Sequence, residues 1–110
     1  MVRLVAMCEY SSGMSNAKEA MDRVRMHLSS GRGQRALYKA LVAAQEPFEE
    51  DFDDEDHYLA CCSILAEVMR NGGPPDYLLV GVQEMDEAER RAIRAKLLAL
   101  ADQVDAADDA

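Results

Sequence analysis

His57-Tyr58-Leu59-Ala60-Cys61-Cys62-Ser63-Ile64-Leu65-Ala66-Glu67-Val68-Met69 is apolar on nearly every side for three helical turns. Acidic residues from Asp54 onward lie where the positive end of a helix dipole favours them, and Asn71-Gly72-Gly73-Pro74-Pro75 ends the segment. A helix without a polar face has to be surrounded, so this is the expected central helix, with Leu65 at the middle of the core.

Upstream, Asn16 followed by Glu19 is a capping-box pattern, and Ala17, Ala20, Met21, Val24 and Leu28 then recur at helical spacing. That helix should stop at Ser29-Ser30-Gly31. A second helix is expected from about Gln34 to Gln45, burying Leu37, Leu41 and Ala44 with help from Tyr38 and Val42, and ending before Pro47. Downstream, Asp86 and Glu89 form another capping pair ahead of a stripe of Ile93, Leu97, Leu100, Ala101 and Val104. Two apolar runs, 2–10 and 77–82, are too short for periodicity to decide between strand and helix, and Gly81 weakens both readings. Pro74-Pro75-Asp76 suits a helix start. The sequence therefore predicts a mainly α domain, a small bundle of four or five helices over 1–104 with an acidic flexible tail at 105–110. The structural alternative is an α+β domain with one two-stranded sheet from 2–10 and 77–82.

A chain of 110 residues is one domain with a single core. Seven Met and no Trp make that core aliphatic and adaptable. Cys8, Cys61 and Cys62 are an odd count with two adjacent, which argues against a secretory disulfide framework and for free thiols in a reducing cytoplasm. Met1 to Cys8 is interrupted by Glu9, too soon for a signal peptide or membrane span.

The net charge of −9 conceals a split: residues 1–45 carry seven Lys/Arg against three Asp/Glu, and residues 46–110 carry five against eighteen. The acid is densest from Glu46 to Asp56, with eight carboxylates in eleven positions, and both phenylalanines of the chain lie inside the run. A row of carboxylates on a rigid scaffold mimics nucleic-acid phosphates and suits the basic groove of another protein, with Phe48 and Phe52 as apolar anchors among Glu49, Glu50, Asp51, Asp53 and Asp54. The competing reading is a solvated connector that pins itself with one or both rings.

Other chemistry fits less well. Asp51, Asp53 and Glu55 alternate like the first ligands of a calcium loop, but Asp56 stands where glycine is needed and Cys62 where glutamate is. His57 and Cys61 share a helix face without the four ligands of a structural zinc site, and neighbouring carboxylates would raise a cysteine pKa where activation needs a lower one. No metal, cofactor or catalytic constellation is expected. Arg32 and Arg35, in Ser29-Ser30-Gly31-Arg32-Gly33-Gln34-Arg35, form a weak anion-binding candidate at a helix N-terminus, lacking the lysine and spacing of a nucleotide loop. Arg90, Arg91, Arg94 and Lys96 read as a solvated face. The function expected is that of a small cytoplasmic protein-binding module, not an enzyme: an inhibitor, immunity-type or antitoxin-type protein that occludes the basic surface of a partner such as a nucleic-acid-handling protein. A self-associating helical module is the first alternative. Direct nucleic-acid binding through the basic half is disfavoured, because phosphates would meet a net negative chain.

Overall fold

The computed structural model describes residues 16–109, and among them the chain forms five α-helices and no strand. They are α1 (Asn16–Ser30), α2 (Gln34–Ala44), α3 (Glu55–Arg70), α4 (Tyr77–Glu84) and α5 (Glu87–Asp109), with a single 3-10 turn, Glu49–Asp51, between α2 and α3. The mainly helical architecture expected from the sequence is observed. Residues 77–82 lie in α4 and supply no strand to a sheet, while 2–10 fall outside the described residues.

The start signals are visible as hydrogen bonds. Asp54 accepts from Asp56 N–H ahead of α3, and Asp76 Oδ1 accepts from Leu78 and Leu79 N–H at 3.1 and 3.0 Å ahead of α4. At α5 the capping box closes both ways, with Asp86 N–H donating to Glu89 and Glu89 N–H donating to Asp86 at 2.9 and 2.8 Å. The apolar stripes of α1 and α5 are buried in full: Ala17, Ala20, Met21, Val24 and Leu28 face Ile93, Leu97, Leu100, Ala101 and Val104 within one core. The two helices run antiparallel, since Lys18 near the start of α1 reaches Asp105 near the end of α5 at 2.8 Å.

Two helices pack against three others each: α2 against α1, α4 and, over a shorter stretch, α5, and α5 against α1, α3 and α2. The expected place of α3 at the centre is therefore corrected. It packs on α4 and α5 and buries Cys61, Ile64 and Val68, while Leu65 is only half-buried at the flank, and Leu59 is 53% exposed. Period alone could not reveal this, because α3 carries apolar residues on both its inner and outer faces.

Helix α4 lies unusually close to α3. A Cβ built on Gly81 would sit 2.3 Å from the Val68 carbonyl oxygen and 2.9 Å from Val68 Cγ1, so only glycine allows this approach. Gly72, in the joint between the two helices, meets the Tyr77 carbonyl oxygen in the same way at 2.0 Å. The residue that weakened a helical reading of 77–82 is thus the one that seats the helix.

Two arginines expected on a solvated face instead hold helix ends. Arg94 donates to the carbonyls of Leu28 and Gly31, satisfying acceptors that α1 leaves open at its C-terminus, and Arg90 donates to the carbonyls of Val82 and Met85 behind α4. Lys96 pairs with Glu67 across α5 and α3 at 2.8 Å. The expected tail from residue 105 begins as regular helix: α5 continues to Asp109, and Asp105 is fixed by Lys18 and Arg25.

Candidate functional site

The connector from α2 to α3 is built from its own side chains. Phe48 N–H donates to Asp51 Oδ2 at 2.8 Å, and Phe52 N–H to the Glu49 carbonyl at 3.2 Å, which winds Glu49–Asp51 into one tight turn. Phe52 then enters the core with 8% exposure and meets Tyr58 of α3 edge-on, ring centroids 5.7 Å apart. Phe48, four residues earlier, is 70% exposed. The two rings thus divide the roles that the sequence left open: one pins the turn and the other is presented on it.

The seven candidate residues separate accordingly. Asp51 and Asp54 are engaged in the backbone of the turn and the start of α3, with Asp54 Oδ2 also 3.9 Å from His57 Nε2. Phe52 is buried. Phe48, Glu49, Glu50 and Asp53 are exposed, and among the described residues none of these three carboxylates forms an ion pair; nor do Glu55 and Asp56 on the first turn of α3. Glu46 differs, pairing with Arg23 of α1 at 2.5 Å and holding the root of the connector. A groove of about 260 Å³ runs beside Phe48, lined by Glu19, Arg23, Glu46, Pro47 and Asp51.

The fold also consumes part of the charge split. Arg23 and Arg25 of the basic half pair with Glu46 and Asp102, and Lys18 with Asp105, drawing the Asp105 carboxyl below the ordinary range, chiefly through the hydrogen bond from Lys18. The exposed cations left without an ion pair among the described residues include Arg32, Arg35 and Lys39, on and after the α1–α2 turn. That turn lies at the opposite end of α2 from the acidic connector. Along α2 the charge left without ion pairs among the described residues is consequently polar, with Arg32 and Arg35 at its start and Glu49, Glu50 and Asp53 after its end.

Cys61 is a buried thiol that donates to the Ala44 carbonyl at 3.2 Å, and burial, followed by the neighbouring Cys62, pushes its pKa up to about 11. It is protonated at neutral pH, a packing residue and not an activated nucleophile. Among the described residues no group of three or more His, Cys, Asp or Glu side chains is arranged to hold a metal ion, and no helix is long and apolar enough to cross a membrane.

One surface escaped the sequence reading. Leu59, Cys62, Ala66 and Met69 all face solvent from α3, spaced three, four and three residues apart. That spacing was visible in the sequence but was absorbed into the expectation of a surrounded helix. Comparisons of the chain with protein-family models, with curated proteins and with solved structures return no match.

Proposed function

We propose that the protein is a small binding module whose acidic turn, led by Phe48, docks on a basic surface of another protein and blocks it, as an inhibitor, immunity-type or antitoxin-type protein would. The observation that carries this reading is the division between the two phenylalanines. A connector needing only a pin has Phe52 for that purpose, whereas Phe48 leaves most of a large apolar ring in water among carboxylates without cation partners in the described fold. Burying such a ring in a partner's pocket contributes about 1.5–3 kcal/mol, more than an exposed ion pair supplies, so Phe48 would hold the complex while Glu49, Glu50 and Asp53 steer its approach. The chemistry requires no cofactor and no catalytic group.

The turn's architecture dictates the variant that tests the idea. Replacing Asp51 or Asp54 would unmake the turn or the start of α3, so the informative substitutions are Phe48→Ala and the triple change of Glu49, Glu50 and Asp53 to Gln, Gln and Asn. Both should leave helicity unchanged by circular dichroism. Phe48→Ala should weaken partner binding at least about tenfold. The triple variant should slow association and flatten its dependence on salt. Partner binding unaffected by both variants would remove the acidic turn from the function.

A further inference from the structure

We propose that the outer face of α3 is the interface of an antiparallel, two-fold homodimer. Leu59, Cys62, Ala66 and Met69 follow the spacing of the a and d positions of a heptad seam, while the core-facing Cys61, Ile64 and Val68 occupy the opposite side of the helix. Leu59 is 53% and Met69 37% exposed, and half-buried Leu65 extends the apolar strip along one margin. The helix therefore has two apolar faces, and the described fold covers one.

A second copy fits the uncovered face because the strip is complementary to itself. In an antiparallel pair, a positions meet d positions, which places Leu59 opposite Met69 of the second copy and Cys62 opposite Ala66 of the second copy. Large residues then meet at the two ends and small ones at the crossing point, the pattern that lets helix backbones approach. The charges follow the same symmetry. Arg70 closes the C-terminus of α3, exposed and without an ion pair among the described residues, while Glu55 and Asp56 open its N-terminus in the same condition. An antiparallel arrangement brings each Arg70 beside the Glu55 and Asp56 of the other copy at both ends. A parallel arrangement would instead set the acids against each other. Such an interface is isologous, so it closes at two copies and does not grow into filaments. It stands independently of the acidic turn, since Phe48 lies outside it, and it would carry two such turns at opposite ends of a helix pair about 24 Å long.

The test uses the full chain and begins with sedimentation equilibrium up to about 1 mM, a concentration that populates even a complex of millimolar Kd. The expected result is a monomer–dimer equilibrium that Leu59→Glu with Met69→Glu abolishes while circular dichroism remains unchanged. Charge exchange then tests the orientation. Arg70→Glu alone, and Glu55→Arg with Asp56→Arg alone, should each dimerise less than wild type. An equal mixture of the two variants should recover dimer, because every end contact in the mixed species pairs opposite charges. A chain that stays monomeric throughout, or a dimer indifferent to the α3 substitutions, overturns the proposal. A dimer lost in Leu59→Glu with Met69→Glu but not recovered by mixing overturns the antiparallel arrangement.

Discussion

Replacing Gly81 with Ala sets two effects of opposite sign against each other. Helix propensity favours the substitution, since glycine in a helix interior is about 1 kcal/mol worse than alanine. The packing of α4 on α3 opposes it. The new methyl would lie 2.3 Å from the Val68 carbonyl oxygen and 3.0 Å from its carbonyl carbon, both backbone atoms that cannot turn aside. Restoring ordinary contact requires moving the helices apart by roughly 1 Å, which loosens Val68, Leu78 and Val82 together, all buried against one another in the core. Overpacking of this kind costs about 1–3 kcal/mol, and the shared displacement of three core side chains places it at the upper end. The expected net is a loss of about 1–2 kcal/mol. With an unfolding entropy of about 2.1 cal/mol/K per residue, that lowers Tm by roughly 4–8 °C. Thermal and urea unfolding followed by circular dichroism would measure it. Val68→Ala should not rescue the variant, because the closest clash is with the carbonyl and not the side chain. A Gly81→Ala protein as stable as wild type, or more stable, would refute the close-approach argument and show that propensity wins.

Further expectations come from the same geometry. Phe52→Ala should destabilise by about 3 kcal/mol, as loss of a buried ring does, whereas Phe48→Ala should stay within about 0.5 kcal/mol of wild type in urea unfolding. Leu41→Asp should abolish folding, while Leu65→Asp, at the half-buried flank of α3, should leave a folded protein of reduced Tm, both read by circular dichroism. Asp76 is held below the ordinary carboxylate range by hydrogen bonds, the Leu79 N–H first and then the Tyr38 hydroxyl at 2.7 Å. A lowered folded pKa stabilises the ionised form, so its contribution is complete above the unfolded value near 4 and disappears as pH falls through the folded one. Asp76→Asn should therefore lower Tm at pH 7 and narrow the Tm difference from wild type in strong acid. In dilute protein, where the α3 face is free of a second copy, a thiol reagent at neutral pH should react with Cys62 in the folded chain and with Cys61 only after unfolding, and mapping of the labelled peptides would separate the two.

Most of the helices were legible because their ends carry chemistry that acts locally. Pro47 stops α2, Asp54 and Asp76 cap α3 and α4, and Asp86 with Glu89 boxes α5, so those boundaries follow from a few neighbouring residues. The buried stripes of α1 and α5 were legible for a related reason: each has one apolar face and a polar remainder. Helix α3 has two apolar faces, and periodicity cannot say which of them the domain covers. Gly81 was opaque because its role is a contact with Val68, thirteen residues away in the chain. Arg90 and Arg94 looked like surface charge because carbonyl acceptors leave no mark in a sequence. The acidic run was conspicuous, yet its division of labour was not: which ring is buried, and which carboxylates cap the backbone, depends on the path of the turn across α1 and α3.

Phe48 and the exposed carboxylates beside it are proposed as a binding element. Its most direct measurement is quantitative affinity capture from a lysate of the native source, with wild type, Phe48→Ala and the Glu49, Glu50, Asp53 triple variant run in parallel and read by mass spectrometry. A basic protein should be retained by wild type, depleted on both variants and released as salt is raised. Equal retention on all three, or recovery of the chain's own copies alone, would contradict that proposal and leave the acidic turn as a solvated connector pinned by Phe52.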